Sequence, residues 1–217
     1  MFHRKGYSRH QTRAEETANA ISHAVAFVAG VIGTPLLVHR AYITGDAFFI
    51  AGASLFAASI LFLYLTSALY HGLPVGKAKH AFRVLEHCAI FILIAGTYTP
   101  LLLGALNGAW GWSLFGVVWA LALMGVLLKI FAQHLPMAFS TTLYLLMGWV
   151  ILIAFKPLLA AMPLPGIYWL VAGGISYTLG VVFFVFDDHL PFGHFIWHLW
   201  VMVGTSCHYV AVYGYGA

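Results

Sequence analysis

Two histidines, His194 and His198, lie four residues apart in the segment HFIWHLW, which is otherwise apolar. On a helix that spacing separates two side chains by about 40° around the axis and roughly 6 Å along it. Both rings therefore leave one side. The segment SALYH sets Ser67 and His71 at the same interval, and LEHC places Glu86 beside His87. Neutral imidazole is a good ligand for Zn²⁺, and three protein ligands with one position left for water is the open, catalytic pattern. A carboxylate beside such a centre holds or deprotonates the water, and a hydroxyl one turn from a ligand supports the water or a developing oxyanion. Taken singly, each residue has an ordinary explanation. His194 and His198 fit headgroup-level histidines, His71 a loop-edge histidine, Glu86 a partner for Arg83 at i,i+3, and Ser67 a serine bonded to its own backbone. The chemical reading depends on all of them arriving at one place.

The elements that must bring them there are membrane spans. The chain of 217 residues is 62% hydrophobic and 7% charged, with a mean hydropathy of +0.92. Soluble domains carry about 25% charged residues, so this composition cannot build a solvated surface. The net charge of +4 implies no nucleic-acid partner, because no basic run is interleaved with exposed aromatics. A span needs about 20 apolar residues. That ruler gives seven, near 19–39, 47–70, 84–106, 110–131, 139–159, 167–186 and 195–213, broken by turn signals such as TGD, HGLPVGKAKH, MPLPG and DDHLPFG. The runs are too long and too uniformly apolar for barrel strands. The expected fold is an all-α, polytopic seven-transmembrane helix bundle forming a single domain over 1–217, with a short basic cytoplasmic segment over 1–18. The first apolar segment has no small-residue cleavage site after it and reads as a retained span.

Lys and Arg set the orientation. Arg4, Lys5, Arg9, Arg13, Lys77, Lys79, Arg83 and Lys129 fall on the N-terminal side, against only Arg40 and Lys156 on the other. The N-terminus is expected in the cytoplasm and the C-terminus outside. Span 2 then delivers Ser67 and His71 at its inner end, while spans 3 and 7 deliver Glu86, His194 and His198 at their inner starts. All five share one layer. The start of span 7 carries a partial positive charge that favours neutral, metal-ready imidazoles. His87 points about 100° away from Glu86. His208 lies about 15 Å from His198 along the helix and falls outside the layer. His23, at the inner end of span 1, is a secondary candidate for lining the cytoplasmic opening. Asp187, Asp188 and His189 read as a solvated cytoplasmic loop, with substrate-headgroup or surface-metal contact as the lesser alternative. Cys88 and Cys207 lie at opposite ends of their spans and read as packing residues. Ser176 and Gly180 are a small pair suited to close helix packing or a subunit contact. Nothing fixes an oligomeric state.

SALYH, LEHCAIFILIAGTYTP and HFIWHLW together resemble the signature segments of the hemolysin III family, the bacterial branch of the progestin and adipoQ receptor superfamily. EETANAISH and YLLMGW resemble that family's first and fifth spans, so the likeness covers nearly the whole chain. The resemblance implies seven helices, a cytoplasmic N-terminus, a bacterial plasma (inner) membrane and an intramembrane zinc. By motif position His71, His194 and His198 would be the metal ligands, with Ser67 behind them. A relation to alkaline ceramidases implies lipid-amide hydrolysis. Glu86 departs from the pattern, since the superfamily usually has aspartate there. Glutamate's additional methylene either still holds the water or lets the carboxylate touch the metal.

Three functions follow. The first is a zinc-dependent hydrolase acting on a membrane lipid amide or ester, with His71, His194 and His198 on the metal, Glu86 steering the water and Ser67 in support. The second is a non-catalytic membrane sensor or homeostasis factor whose zinc is structural. The third is the pore-forming cytolysin that the family name carries, which the apolar spans support least. A lipid entering sideways from the bilayer is the expected substrate or ligand.

Overall fold

A computed structural model describes residues 11–44 and 46–216. Helix α1 runs Arg13–Thr44, α2 Ala47–Gly72, α3 Lys77–Pro100 and α4 Gly108–Phe131. They are followed by α5 Met137–Gly148, α6 Phe155–Ala161, α7 Leu164–Val185 and α8 Gly193–Tyr215. A six-residue π-helical stretch, Leu101–Leu106, extends α3, and a 3₁₀ stretch, Val150–Ala154, joins α5 to α6. Among the described residues, seven helical segments are long and apolar enough to cross a membrane, with α5 and α6 sharing one of them. The all-α bundle expected from composition is what forms. Helix α1 begins at Arg13, inside the 1–18 segment expected to precede the first span, and residues 1–10 lie outside the described residues.

Local chemistry explains where these helices start. Thr12 and Glu15 form a capping box at the head of α1. The Thr12 backbone N–H and hydroxyl donate to Glu15 Oε2 at 2.8 and 2.9 Å, and the Glu15 N–H returns to Thr12 Oγ1 at 3.3 Å. Asp46 caps α2 by accepting from the N–H groups of Phe48 and Phe49. Asn107 turns the chain into α4 with a left-handed backbone, φ 38°, and accepts from Gly108 N–H.

Both helix irregularities coincide with lost or rerouted backbone bonds. Pro100 has no N–H to give the helix ladder, and the backbone beyond it widens into the π turn. That turn is tied to the far terminus, with Ala105 N–H donating to Gly216 O at 3.1 Å. In the fifth span the Tyr98 hydroxyl fills the break. It faces the carbonyls of Met147 and Gly148 at 3.0 and 2.7 Å and accepts from Ile151 N–H at 3.1 Å. Buried backbone without water needs such a substitute.

Helix α7 packs tightly on α8. A side chain at Gly180 would meet Trp197 and Trp200, each at 2.8 Å, and the Ser176 hydroxyl donates to Trp200 O at 2.8 Å. The small pair on span 6 therefore serves packing within the chain. Cys88 and Cys207 are free and buried.

Candidate metal centre

Helices α2, α3 and α8 converge at one end of the bundle, the face that also carries Arg83 and Lys129. There one donor atom from each of His71, Glu86, His194 and His198 lies within 4.8 Å of the others. Ring centroids are 5.1 Å apart for His71 and His194, 5.0 Å for His71 and His198, and 4.8 Å for His194 and His198. His71, Glu86 and His198 are buried, and His194 is half-buried.

What orients the rings is on other elements. Glu16 of α1 faces His71 Nδ1 at 2.8 Å. An ionised carboxylate only accepts, so Nδ1 carries the proton and Nε2 keeps its lone pair. The Asn19 amide, 3.5 Å from the same nitrogen, has no lone pair left to bond there. Asp187, in the turn before α8, holds His194 Nδ1 in the same way at 2.9 Å. Ser22 of α1 lies 3.2 Å from His198 Nδ1 and spends its own proton on Asn19 O, so it accepts from His198. All three histidines thus present Nε2 inward. The Nε2 atoms of His71 and His194 are buried with no hydrogen-bond partner among the described residues. Buried lone pairs without donors are costly. Ligands whose second nitrogen is fixed by a carboxylate or hydroxyl are the usual arrangement around a metal-binding imidazole. The donor set fits a metal ion.

Glu86 is held as well. The Ser67 hydroxyl donates to its Oε1, and His23 Nδ1 lies 2.7 Å from Ser67 Oγ. Because Ser67 has one proton and gives it to Glu86, His23 is the donor to Ser67. The His23 ring stacks on His198, centroids 3.6 Å apart at 6°. Glu86 Oε1 lies 3.6 Å from His71 Nε2. The bonding partner of Glu86 is Ser67, not Arg83, whose guanidinium lies against His80 Nδ1 at 3.3 Å.

Two placements differ from expectation. Asp187 is no solvated loop residue but the partner of His194, while Asp188 and His189 are exposed. His23 sits inside the cluster rather than at its opening, because α1 packs its Asn19–Ser22–His23 face inward. Glu16 and Ser22 were not singled out at all. A sequence signal for them lay in EETANAISH, where Glu16, Asn19, Ser22 and His23 recur at helical spacing and so share one side of α1. Glu15 of the α1 cap accepts from Phe192 N–H at 2.8 Å, joining that cap to the turn that leads into His194. His87 is outside the cluster, with Nδ1 donating to Arg83 O at 2.6 Å. His208, at the other end of α8, donates from Nε2 to Leu170 O at 3.1 Å.

A cavity of about 360 Å³ opens from the cluster. His23, Glu86, His194 and His198 form its polar end, and Leu93, Tyr98, Trp149, Tyr177 and Val201 belong to a mainly apolar wall. It continues as far as His208.

The fold and this cluster define a multi-pass membrane protein with a candidate four-residue metal centre at one end of its helix bundle. The haemolysin-III related family model matches residues 11–209, and the chain belongs to that family. It is similar to "Hemolysin-3" of Bacillus cereus, 39% identical over 201 residues, which are 93% of this chain and 91% of that protein. It is similar to the "Hemolysin-3 homolog" of Bacillus subtilis (strain 168), 40% identical over 204 residues, 94% of this chain and 95% of that one. The human "Monocyte to macrophage differentiation factor" is 31% identical over 215 residues, 93% of this chain and 84% of its own. No solved structure matches the chain.

Proposed function

We propose that this protein is a zinc-dependent hydrolase that cleaves an amide or ester bond of a membrane lipid. The observation that carries this reading is the position of the cluster. Donor atoms of His71, Glu86, His194 and His198 gather within 4.8 Å of one another, and Glu86, His194 and His198 of that group line the polar end of a largely apolar cavity. Imidazole donors with a carboxylate suit zinc, and zinc when bound supplies a Lewis acid that polarises a carbonyl and acidifies water. His71, His194 and His198 would hold it. Glu86 is the group that takes a proton from water, and Ser67 keeps its carboxylate turned toward the histidines. His23 holds Ser67 in turn. The apolar wall positions the acyl chain and keeps bulk water from the reacting bond.

The test is fatty-acid release by purified protein from an N-acyl sphingoid lipid and from a matched ester lipid, with metal content measured in parallel. Wild type should carry about one zinc per chain and release fatty acid. Glu86→Gln should keep the zinc and lose release, and His198→Ala should lose both. Equal release by all three, or none by zinc-loaded wild type, overturns the hydrolase reading.

One observation favours a second reading. Glu86 belongs to the same 4.8 Å group as the histidines, so it is close enough to complete a four-ligand shell. Zinc held that way would be a structural tie among α2, α3 and α8, in a sensor or homeostasis protein without turnover. X-ray absorption separates the two. A structural shell loses a carboxylate oxygen in Glu86→Ala, and a catalytic shell keeps its water. The relatives' name carries cytolysis, but a cavity with mainly apolar walls is a poor ion conduit. Planar-bilayer conductance would test that third role.

A further inference from the structure

A second cavity, of about 220 Å³, lies between α3, α4 and α5 on the same face as the metal cluster. Arg83 and His87 line it from α3, Lys129 from the last turn of α4, and Phe91, Leu128 and Leu143 form apolar wall. Among the described residues no carboxylate lines it. Lys129 is half-buried, and among the described residues no acidic group pairs with it. A lysine placed that way faces repulsion from Arg83 and has no counter-ion among the described residues.

The cavity also has a direction. Arg83, His87 and Phe91 are successive i+4 positions of α3, so Phe91 lies about 12 Å deeper along the helix than Arg83. Lys129 and Gly125 are likewise one turn apart on α4, and the Phe91 ring lies directly against Gly125. The cleft is therefore cationic at headgroup level and apolar below it. Free phosphate would gain nothing from the lower wall, whereas a phosphate with acyl chains attached matches both ends.

We propose that the cleft between α3, α4 and α5 binds an anionic phospholipid, with its phosphate on Arg83 and Lys129 and its chains along Phe91, Leu128 and Leu143. Arg83, His87 and Met137 also line the metal cavity, so the bound lipid borders that cavity from its α3–α5 side. The inference does not depend on the hydrolase reading.

The experiment is native mass spectrometry of the full chain in detergent. It titrates dioleoyl phosphatidylglycerol against dioleoyl phosphatidylcholine, with glycerol phosphate as the chain-free competitor. Wild type should bind the anionic lipid at least tenfold more tightly than the neutral one, and glycerol phosphate should not displace it at equal concentration. Arg83→Gln with Lys129→Gln should remove the preference, and Lys129→Arg should restore it in the Arg83-intact chain relative to Lys129→Gln. Lys156→Gln, a lysine outside both cavities, should leave it unchanged. His198→Ala protein should bind the lipid as wild type does, which separates this site from failure of the metal reading. Unaltered preference in the double variant, loss of preference in Lys156→Gln, or displacement by glycerol phosphate would each overturn the proposal. A melting curve for each variant confirms that the protein compared is folded.

Discussion

The histidines of the candidate metal cluster are aimed by residues that stand outside it. Glu16 and Asp187 each accept from an Nδ1–H, and that single proton decides which nitrogen is free. Removing such a partner from a metal-binding histidine costs about 10–100-fold in metal affinity. Glu16→Ala and Asp187→Ala should therefore each weaken zinc binding by that factor, read by competition with a fluorescent chelator, while leaving the helical signal intact. Exposed Asp188 makes the matching control, and Asp188→Ala should bind zinc like wild type. The histidines were legible in the sequence because i,i+4 spacing and span polarity are local facts. Their partners were not. Glu16 lies 55 residues from His71, and nothing near either residue announces the pairing. Asp187 is only seven residues from His194, but its neighbours Asp188 and His189 gave the segment the look of a solvated loop. The turn through Phe192, left-handed at φ 57°, folds it back.

Elements show the same division between what pattern reveals and what only packing decides. Seven apolar runs were readable because a bilayer core demands internally bonded backbone over about 20 residues. The break within the fifth span was not readable, since its backbone groups are satisfied by a hydroxyl from another helix. Tyr98→Phe leaves the ring in place and deletes only that oxygen. The Met147 and Gly148 carbonyls and the Ile151 N–H would lose it together. An unsatisfied buried polar group costs about 1–3 kcal/mol, so the variant should melt several degrees below wild type in detergent. The α7–α8 contact should be equally sensitive for the opposite reason. Gly180→Val adds carbon where Trp197 and Trp200 already sit, and overpacking of this kind costs about 1–3 kcal/mol. Trp197 adjoins His198 in sequence, so Gly180→Val should also weaken zinc binding. Tyr98→Phe lies farther along α3 from Glu86 and should not. Parallel melting and chelator-competition curves for the two variants check this contrast.

At the scale of the whole molecule the cluster draws on four helices. α2, α3 and α8 supply the four donors, and α1 holds two of the histidines and, through His23 and Ser67, Glu86. A ligand that binds the folded state alone stabilises it by RT ln(1 + [L]/Kd), about 2.7 kcal/mol when free metal is a hundredfold above Kd. For chains of this size each kcal/mol moves the melting temperature by about 2–4 °C, so chelation should lower it by roughly 5–10 °C. His198→Ala should start near the chelated value and respond little to chelator, because its tie is already gone. Glu86→Gln distinguishes the two accounts of the carboxylate. If Glu86 acts on water and the histidines alone hold the metal, the variant keeps most of the chelator-sensitive stability and loses turnover. If Glu86 closes the shell, the variant loses a large part of that stability with no activity to lose. Differential scanning fluorimetry with and without chelator on wild type, His198→Ala and Glu86→Gln gives both readings from one set of curves. The geometry at Glu86 makes this measurement decisive, because its carboxylate reaches within 3.6 Å of His71 Nε2 while still accepting from Ser67.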